Sequence, residues 1–413
     1  MTSSLLRFLP RSPLRQKWPP LNFNNPNYGV IHPDLKIEEE TVPGYIASRY
    51  YPMKIGEVIK DRYQVVTKLG YQKYVTLKVF IDKASMGKYV DDELNIYKRI
   101  QSSSKSTWPW PSTSHPGHDA IRSLTDHFDI DGTEHKHRCF VHQPLFESVW
   151  VFLHRNPIGR LPVPVLAVTL KRLFQALDYL HTNCRVIHTD ISATNLLFAY
   201  KDNSAFAQAE QEELQDPSPR KGVDDNRPIY LFRDLSVQPG NMVPSVLVDF
   251  GSAVFGDGEH TEDIQPNHYR APEVILGVPW DYKVDIWNVG CMIWDIFQGE
   301  SLFTGYDPEH DAYRSRAHLA GMIDLLGPPP VELLKKGKDT VRSFDEAGQL
   351  RYGWLLKGIT PLEERETTLK CDGDREDREL FLKFMGKMLK WEPRERATAG
   401  ELVEDEWIVK HSS

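Results

Sequence analysis

The residues able to do chemistry lie in short runs far apart in a chain of 413 residues. One run is His188-Thr189-Asp190-Ile191-Ser192-Ala193-Thr194-Asn195. A second is Asp249-Phe250-Gly251, directly after the apolar Val246-Leu247-Val248. A third feature is Lys78, inside a stretch of β character, with Glu93 following in a stretch of helical character. A carboxylate and an amide oxygen, here Asp249 and Asn195, suit Mg2+, a hard cation that takes oxygen ligands. Further on come Tyr269-Arg270-Ala271-Pro272-Glu273 and the run Trp391 to Arg396. Taken singly these are ordinary features: a lysine in a strand is usually a solvated edge charge, and Asp-Phe-Gly arises by chance.

The elements that must position these groups can be read from periodicity. Arg62 to Leu69 and Tyr74 to Phe80 alternate and carry β-branched residues, so two strands are expected. Asp91 to Ile100 places Leu94, Tyr97 and Ile100 at helical spacing, and Val165 to His181 is a strongly amphipathic helix. Ser102 to Ser114 is rich in Ser, Pro and Trp and reads as a loop, and Cys139 to Val141 as a short strand. Asp285 to Phe297 is apolar nearly all round, which predicts a buried central helix. After Phe198 a polar, acidic stretch runs to about Pro228 with no apolar period, and reads as a surface insert or disordered spacer.

Composition narrows the function classes. The chain is 40% hydrophobic and 26% charged, as in a folded globular protein rather than a disordered or collagen-like one. Lys and Arg number 50 against 58 Asp and Glu, a net charge of -8 that disfavours direct nucleic-acid binding. Cys139, Cys184, Cys291 and Cys371 show neither paired nor zinc-type spacing and read as reduced thiols of an intracellular protein. No apolar run is long enough to span a membrane. The first 33 residues hold Arg7, Arg11, Arg15 and Lys17 but no acid, as in a mitochondrial leader; Pro10, Pro13, Pro19 and Pro20 break the helix such a leader needs, which favours a flexible one.

In this order the pieces resemble the protein-kinase signature set, over roughly Tyr63 to Trp407. The resemblance implies an α+β, two-lobed fold. A leader would cover 1–40, a small β-rich lobe 41–145, and a large helical lobe 146–413 with a polar insert at about 200–228. It implies ATP-dependent phosphoryl transfer to a protein Ser or Thr, with Asp190, Lys78 and Glu93 as the catalytic set. Asp190 would accept the hydroxyl proton, Lys78 would bind the α- and β-phosphates, and Glu93 would pin Lys78. Asn195 and Asp249 would hold magnesium, and the Gln143 carbonyl and Leu145 N–H would hold adenine. Glu273 would pair with Arg396, and Asp285 would hold the catalytic loop. The His-Thr-Asp form, the insert after Asn195 and the run Ala317 to Pro330 resemble the serine/arginine-protein kinase branch, and Glu38-Glu39-Glu40, Pro43-Gly44-Tyr45 and Ser48-Arg49-Tyr50-Tyr51-Pro52 resemble its fungal members. That branch implies a basic, Arg/Ser-containing substrate, and an intracellular monomer of cytoplasm or nucleus is expected. Thr189 stands where many kinases have an arginine that reads an activation-segment phosphate, so no dependence on such phosphorylation is expected.

Two departures stand out. The glycine-rich loop is missing: Gly70 is followed by Tyr71-Gln72-Lys73-Tyr74, and Lys78 comes too soon for a phosphate-covering hairpin. Ser192 replaces the lysine usual two residues after the catalytic Asp. The chain is then either a kinase whose nucleotide lid is truncated or a pseudokinase scaffold that has lost turnover.

Overall fold

The computed structural model describes residues 19–66, 75–103, 115–132, 135–157, 159–200, 204–224, 227–233, 242–372 and 374–412. Gly70 to Tyr74, Trp108 to Trp110 and most of the basic leader lie outside these residues. The described residues fall into two compact units, one from 75–200 and 242–412, the other from 19–66 and 204–233.

In the larger unit β1 (Thr76–Val79), β2 (Leu124–Asp131) and β3 (Lys136–His142) form an antiparallel sheet in the order β1-β3-β2, with Lys78 opposite Phe140. Helix α1 (Tyr89–Ser103) buries Val90, Glu93, Leu94, Ile96, Tyr97 and Ile100, one face at i, i+3, i+4 and i+7. Glu93 is the single charged residue on that face and therefore needs a partner. The rest is helical: α2 (Val149–Arg155), α3 (Val163–Asp178), α4 (Lys283–Gln298), α5 (Ser315–Leu326) and α6 (Arg375–Gly386). Thirteen of the sixteen residues of α4 are buried, and Gly299 ends it at φ 80°, the left-handed conformation of a helix stop. Two ribbons bracket the catalytic-type runs. Val186–Ile187 pairs with Val254–Phe255, and β4 (Leu196–Tyr200) pairs with β5 (Met242–Leu247).

In the smaller unit the acidic stretch, read as a surface insert or disordered spacer, is ordered: a helix over Ser204–Gln215 followed by a hairpin of Arg220–Asp224 and Arg227–Tyr230. Ala205, Phe206 and Ala209 make a short apolar stripe, and the buried Glu213 accepts the Ser218 N–H at 2.9 Å and hydroxyl at 2.5 Å. Residues 19–40 are not a free leader either. Ile31 N donates to Arg220 O at 3.1 Å, and the buried Lys221 Nζ donates to Pro33 O, Leu35 O and Glu40 Oε2 at 2.9, 3.0 and 2.6 Å. Tyr63–Gln64, within the first expected strand, pairs with Val58–Ile59 in this unit and not with β1. Pairing between segments distant in sequence overrode the polar pattern, which carries no record of its partner.

Candidate active site

Lys78 projects from the middle of β1 and reaches Glu93, the acid expected to pin it, and Asp249 as well. Its Nζ lies 2.9 and 3.1 Å from the two Glu93 oxygens and 2.9 Å from Asp249 Oδ1. Burial pushes the Glu93 carboxyl upward, and the lysine works against that rise. For Asp249 burial also acts upward, but the Lys78 cation and the Gly251 N–H, which donates to it at 3.4 Å, hold it below its usual range. Phe250 is fully buried between Tyr97 of α1 and His188, with ring centroids at 5.3 and 5.2 Å. The aromatic contact ties α1 to the run that carries Asp249.

The catalytic-type loop is fixed from below by α4. Asp285, fully buried, accepts the N–H groups of His188 and Thr189 at 2.9 and 2.8 Å and pairs with His181 Nε2 at 2.9 Å. Asn288 Oδ1, one turn on, accepts Ile191 N–H at 3.2 Å. These bonds hold Thr189 at φ 67°, a left-handed conformation that costs a β-branched residue about 1–2 kcal/mol. The Thr189 hydroxyl donates to Ser252 O at 2.8 Å, which ties the loop to the segment after Asp249. Asn195 Nδ2 donates to Asp190 O and Oδ2 at 2.9 and 3.0 Å, and Asn195 O accepts Val248 N–H at 3.0 Å. Burial, then the nearby Asp249 charge, raise the Asp190 carboxyl; His188 and Asn195 oppose them.

The segment beyond Gly251 is ordered by its own contacts. Gln265, at φ 72°, donates to Val284 O and accepts Ala271 N–H, both at 2.8 Å. Arg270 donates to Ile264 O and Gln265 O, and His260 stacks on Trp280 at 4.6 Å. Its end is clamped by a two-bond ion pair of Arg396 with Glu273, at 2.6 and 2.7 Å, both side chains buried. Of the two groups expected to hold adenine, Gln143 O accepts a 3.4 Å bond from Arg122 Nη2, and Leu145 is buried.

Lys78, Glu93, Asp190, Asn195 and Asp249 thus belong to one unit and one connected network. With Nδ2 committed to Asp190, Asn195 offers its amide oxygen to a cation; with the Asp249 carboxylate this is an all-oxygen set of the kind Mg2+ prefers. Sequence reasoning missed Arg122 and Asp295, and named Tyr269 without a partner. Tyr269 Oη donates to Asp295 Oδ2 at 2.7 Å, a pairing from positions 26 residues apart that no local pattern shows.

Comparison with known proteins agrees with this geometry. The protein kinase domain family matches residues 233–408. A serine/threonine protein kinase of Aspergillus fumigatus is 36% identical over 98% of both chains. The chain belongs to the serine/threonine protein kinase family. Its relatives place it in the SR-protein kinase branch: the kinase SRPK of Physarum polycephalum is 28% identical over 90% of this chain and 92% of its own. Human SRSF protein kinase 3 is 23% identical over 90% of each. A solved kinase domain superposes with a TM-score of 0.61 at 20% identity, covering 87% of this chain and 99% of that one, which supports the two-lobed kinase fold. This kinase is therefore an ATP-dependent enzyme acting on Ser or Thr of a protein, and the scaffold alternative is not favoured. Among the described residues no helix is long and apolar enough to cross a membrane.

Proposed function

We propose that Asp190, Lys78, Glu93, Asn195 and Asp249 carry the phosphoryl transfer. The observation behind this reading is Lys78 Nζ held within 3.1 Å of both Glu93 and Asp249, while Asn195 fixes Asp190. The catalytic work is positioning and charge neutralisation. Lys78, aimed by Glu93, binds the α- and β-phosphates of ATP. Asp190 orients the substrate hydroxyl and takes its proton as that oxygen bonds to the γ-phosphorus. The bond from the γ-phosphorus to the bridging oxygen breaks, and ADP leaves. Asn195 and Asp249 are the residues that would hold Mg2+, which supplies neutralisation of phosphate charge. The Gln143 carbonyl and Leu145 N–H hold adenine, the carbonyl exchanging its Arg122 bond for the base.

The lobes divide near Leu145, with β1, β2, β3 and α1 in the small lobe and the segment from 146 in the large one. The substrate is a basic Arg/Ser-rich protein, consistent with a chain of net charge -8 and with its SR-protein kinase relatives. The enzyme works in cytoplasm or nucleus, in line with the buried free thiols of Cys139, Cys184 and Cys291.

The test is transfer of radiolabelled phosphate from ATP to an Arg/Ser-repeat peptide. Asp190→Asn should lower the rate by about 10²–10⁴-fold, with nucleotide binding retained. Equal rates for Asp190→Asn and the parent would remove Asp190 from its role.

A further inference from the structure

Two side-chain nitrogens next to the Gln143 carbonyl are sealed from solvent and have no hydrogen-bond partner among the described residues: His142 Nε2 and Arg122 Nε. His142 ends β3, immediately before Gln143, and Arg122 reaches the Gln143 carbonyl with its Nη2 at 3.4 Å. A buried polar atom left unpaired costs free energy and calls for a reason. The charges of Lys78 and Asp249 act on the His142 ring, so the ring faces the same site as the catalytic-type network.

The hydrogen-bonding sense of both groups is fixed. His142 is fully buried, and its Nδ1 lies 3.0 Å from Ser123 O. A carbonyl only accepts, so Nδ1 carries the proton and Nε2 presents a lone pair. Burial pushes the ring's pKa down to about 3, which keeps it neutral and Nε2 an acceptor near neutral pH. Arg122 is the opposite case, a donor only. Burial pulls its guanidinium below the usual range, with Tyr97, Asp249 and Glu93 acting against that fall. Both of those carboxylates are bonded to Lys78, and neither forms an ion pair with Arg122 among the described residues. The pair thus offers one acceptor and one donor. The 6-amino group and N7 of adenine offer one donor and one acceptor on a single edge, whereas a 6-oxo purine shows two acceptors there.

We propose that His142 and Arg122 are specificity-determining residues for the nucleotide, a polar wall that reads the 6-amino and N7 edge of its base. This inference rests on the Gln143 carbonyl and the Leu145 N–H holding adenine. One 6-amino N–H goes to Gln143 O, which releases Arg122 Nη2 to donate to N7. The second 6-amino N–H goes to His142 Nε2. A 6-oxo purine brings its oxygen against the His142 lone pair and is rejected, since a site built for a donor leaves its own acceptor unpaired when the donor is missing.

The experiment is equilibrium binding of magnesium nucleotides to the full chain, with no acceptor peptide present. The probes are ATP, 7-deaza-ATP, which lacks the N7 acceptor, and purine riboside triphosphate, which lacks the 6-amino group. The parent should bind 7-deaza-ATP about ten-fold more weakly than ATP, the loss of one hydrogen bond to a charged donor. It should bind purine riboside triphosphate about a hundred-fold more weakly, the loss of one bond to Gln143 O and one to His142. Arg122→Met should bring the 7-deaza ratio near one and keep the purine riboside ratio. His142→Phe should cut the purine riboside ratio to about ten and keep the 7-deaza ratio, and His142→Gln, which retains an acceptor, should recover part of the loss. Ratios within one preparation do not depend on the fraction folded, and the parent's own ratios need no variant. Equal parent affinity for ATP and 7-deaza-ATP, or a ratio that its matched variant leaves unchanged, would overturn the wall and leave the Gln143 and Leu145 contacts standing. A parent that binds with these ratios but transfers no phosphate would count against the Asp190 reading and for the wall. A parent that binds no purine nucleotide would overturn both.

Discussion

Replacing Asp285 by asparagine tests whether the catalytic loop is held in place by α4 or merely rests on it. Asp285 accepts three hydrogen bonds, from His188 N–H, Thr189 N–H and the His181 ring, and is fully buried. Asparagine keeps one acceptor oxygen and turns an NH2 toward a donor, so at least one bond to a charged acceptor is lost, worth about 1.5–3 kcal/mol. The same bonds hold Thr189 at φ 67° against a preference of about 1–2 kcal/mol, so the loop should relax toward right-handed backbone. Asp190 is the next residue and would move with it. Since about 1.4 kcal/mol is a factor of ten in rate, kcat should fall about 10–100-fold. The KM for ATP should change little, because Lys78, Glu93 and Asp249 are not among Asp285's partners. Stopped-assay kinetics and thermal melting on the same preparation separate the two effects. A lower melting temperature with unchanged kcat would refute the positioning role; unchanged values of both would refute the hydrogen-bond reasoning itself.

The buried pair Arg396–Glu273 should show the asymmetry of ion pairs in apolar surroundings: Arg396→Met alone should destabilise by about 3–5 kcal/mol, while Arg396→Met with Glu273→Leu recovers part of the loss, by denaturant melts. Asp295, raised to about 6 from 3.8 mainly by burial, contributes favourably below pH 3.8 and loses that contribution as pH climbs through 6. Asp295→Asn should therefore match the parent in stability near pH 4 and exceed it by up to about 3 kcal/mol at pH 8; melting across pH would expose an opposite trend. Because Thr189 carries no charge and Gln265 and Arg270 order the segment after Gly251 internally, phosphatase treatment should leave activity unchanged, and its loss would show a missed phosphate contact.

The legible part of this protein was the part governed by short-range pattern. The helices expected at 91–100, 165–181 and 285–297 appear at Tyr89–Ser103, at Val163–Asp178 with its continuation to Cys184, and at Lys283–Gln298. A one-sided or all-round apolar period has one economical use, burial of that surface as a helix. Strand β2 escaped notice because Leu124–Asp131 is mostly polar and exposed or half-exposed, and its strand character rests on its ladder to β3. The order of the acidic insert and of residues 19–40 was not legible for the same reason: each looks unstructured until its partner is present, as Lys221 against Pro33, Leu35 and Glu40 shows.

The site divides along the same line. By its residue types and their order alone, the sequence determined that a base, an amide oxygen, a second carboxylate and a lysine–glutamate pair were available, because each role tolerates few side chains. Only the tertiary structure decided that Lys78 stands between Glu93 and Asp249, that Thr189 is bent into left-handed backbone by Asp285, and that Asp295 accepts the hydroxyls of Tyr269 and Ser301. Those are distances between residues tens to hundreds of positions apart, and they follow from how helices and strands pack, which no local window of the chain contains.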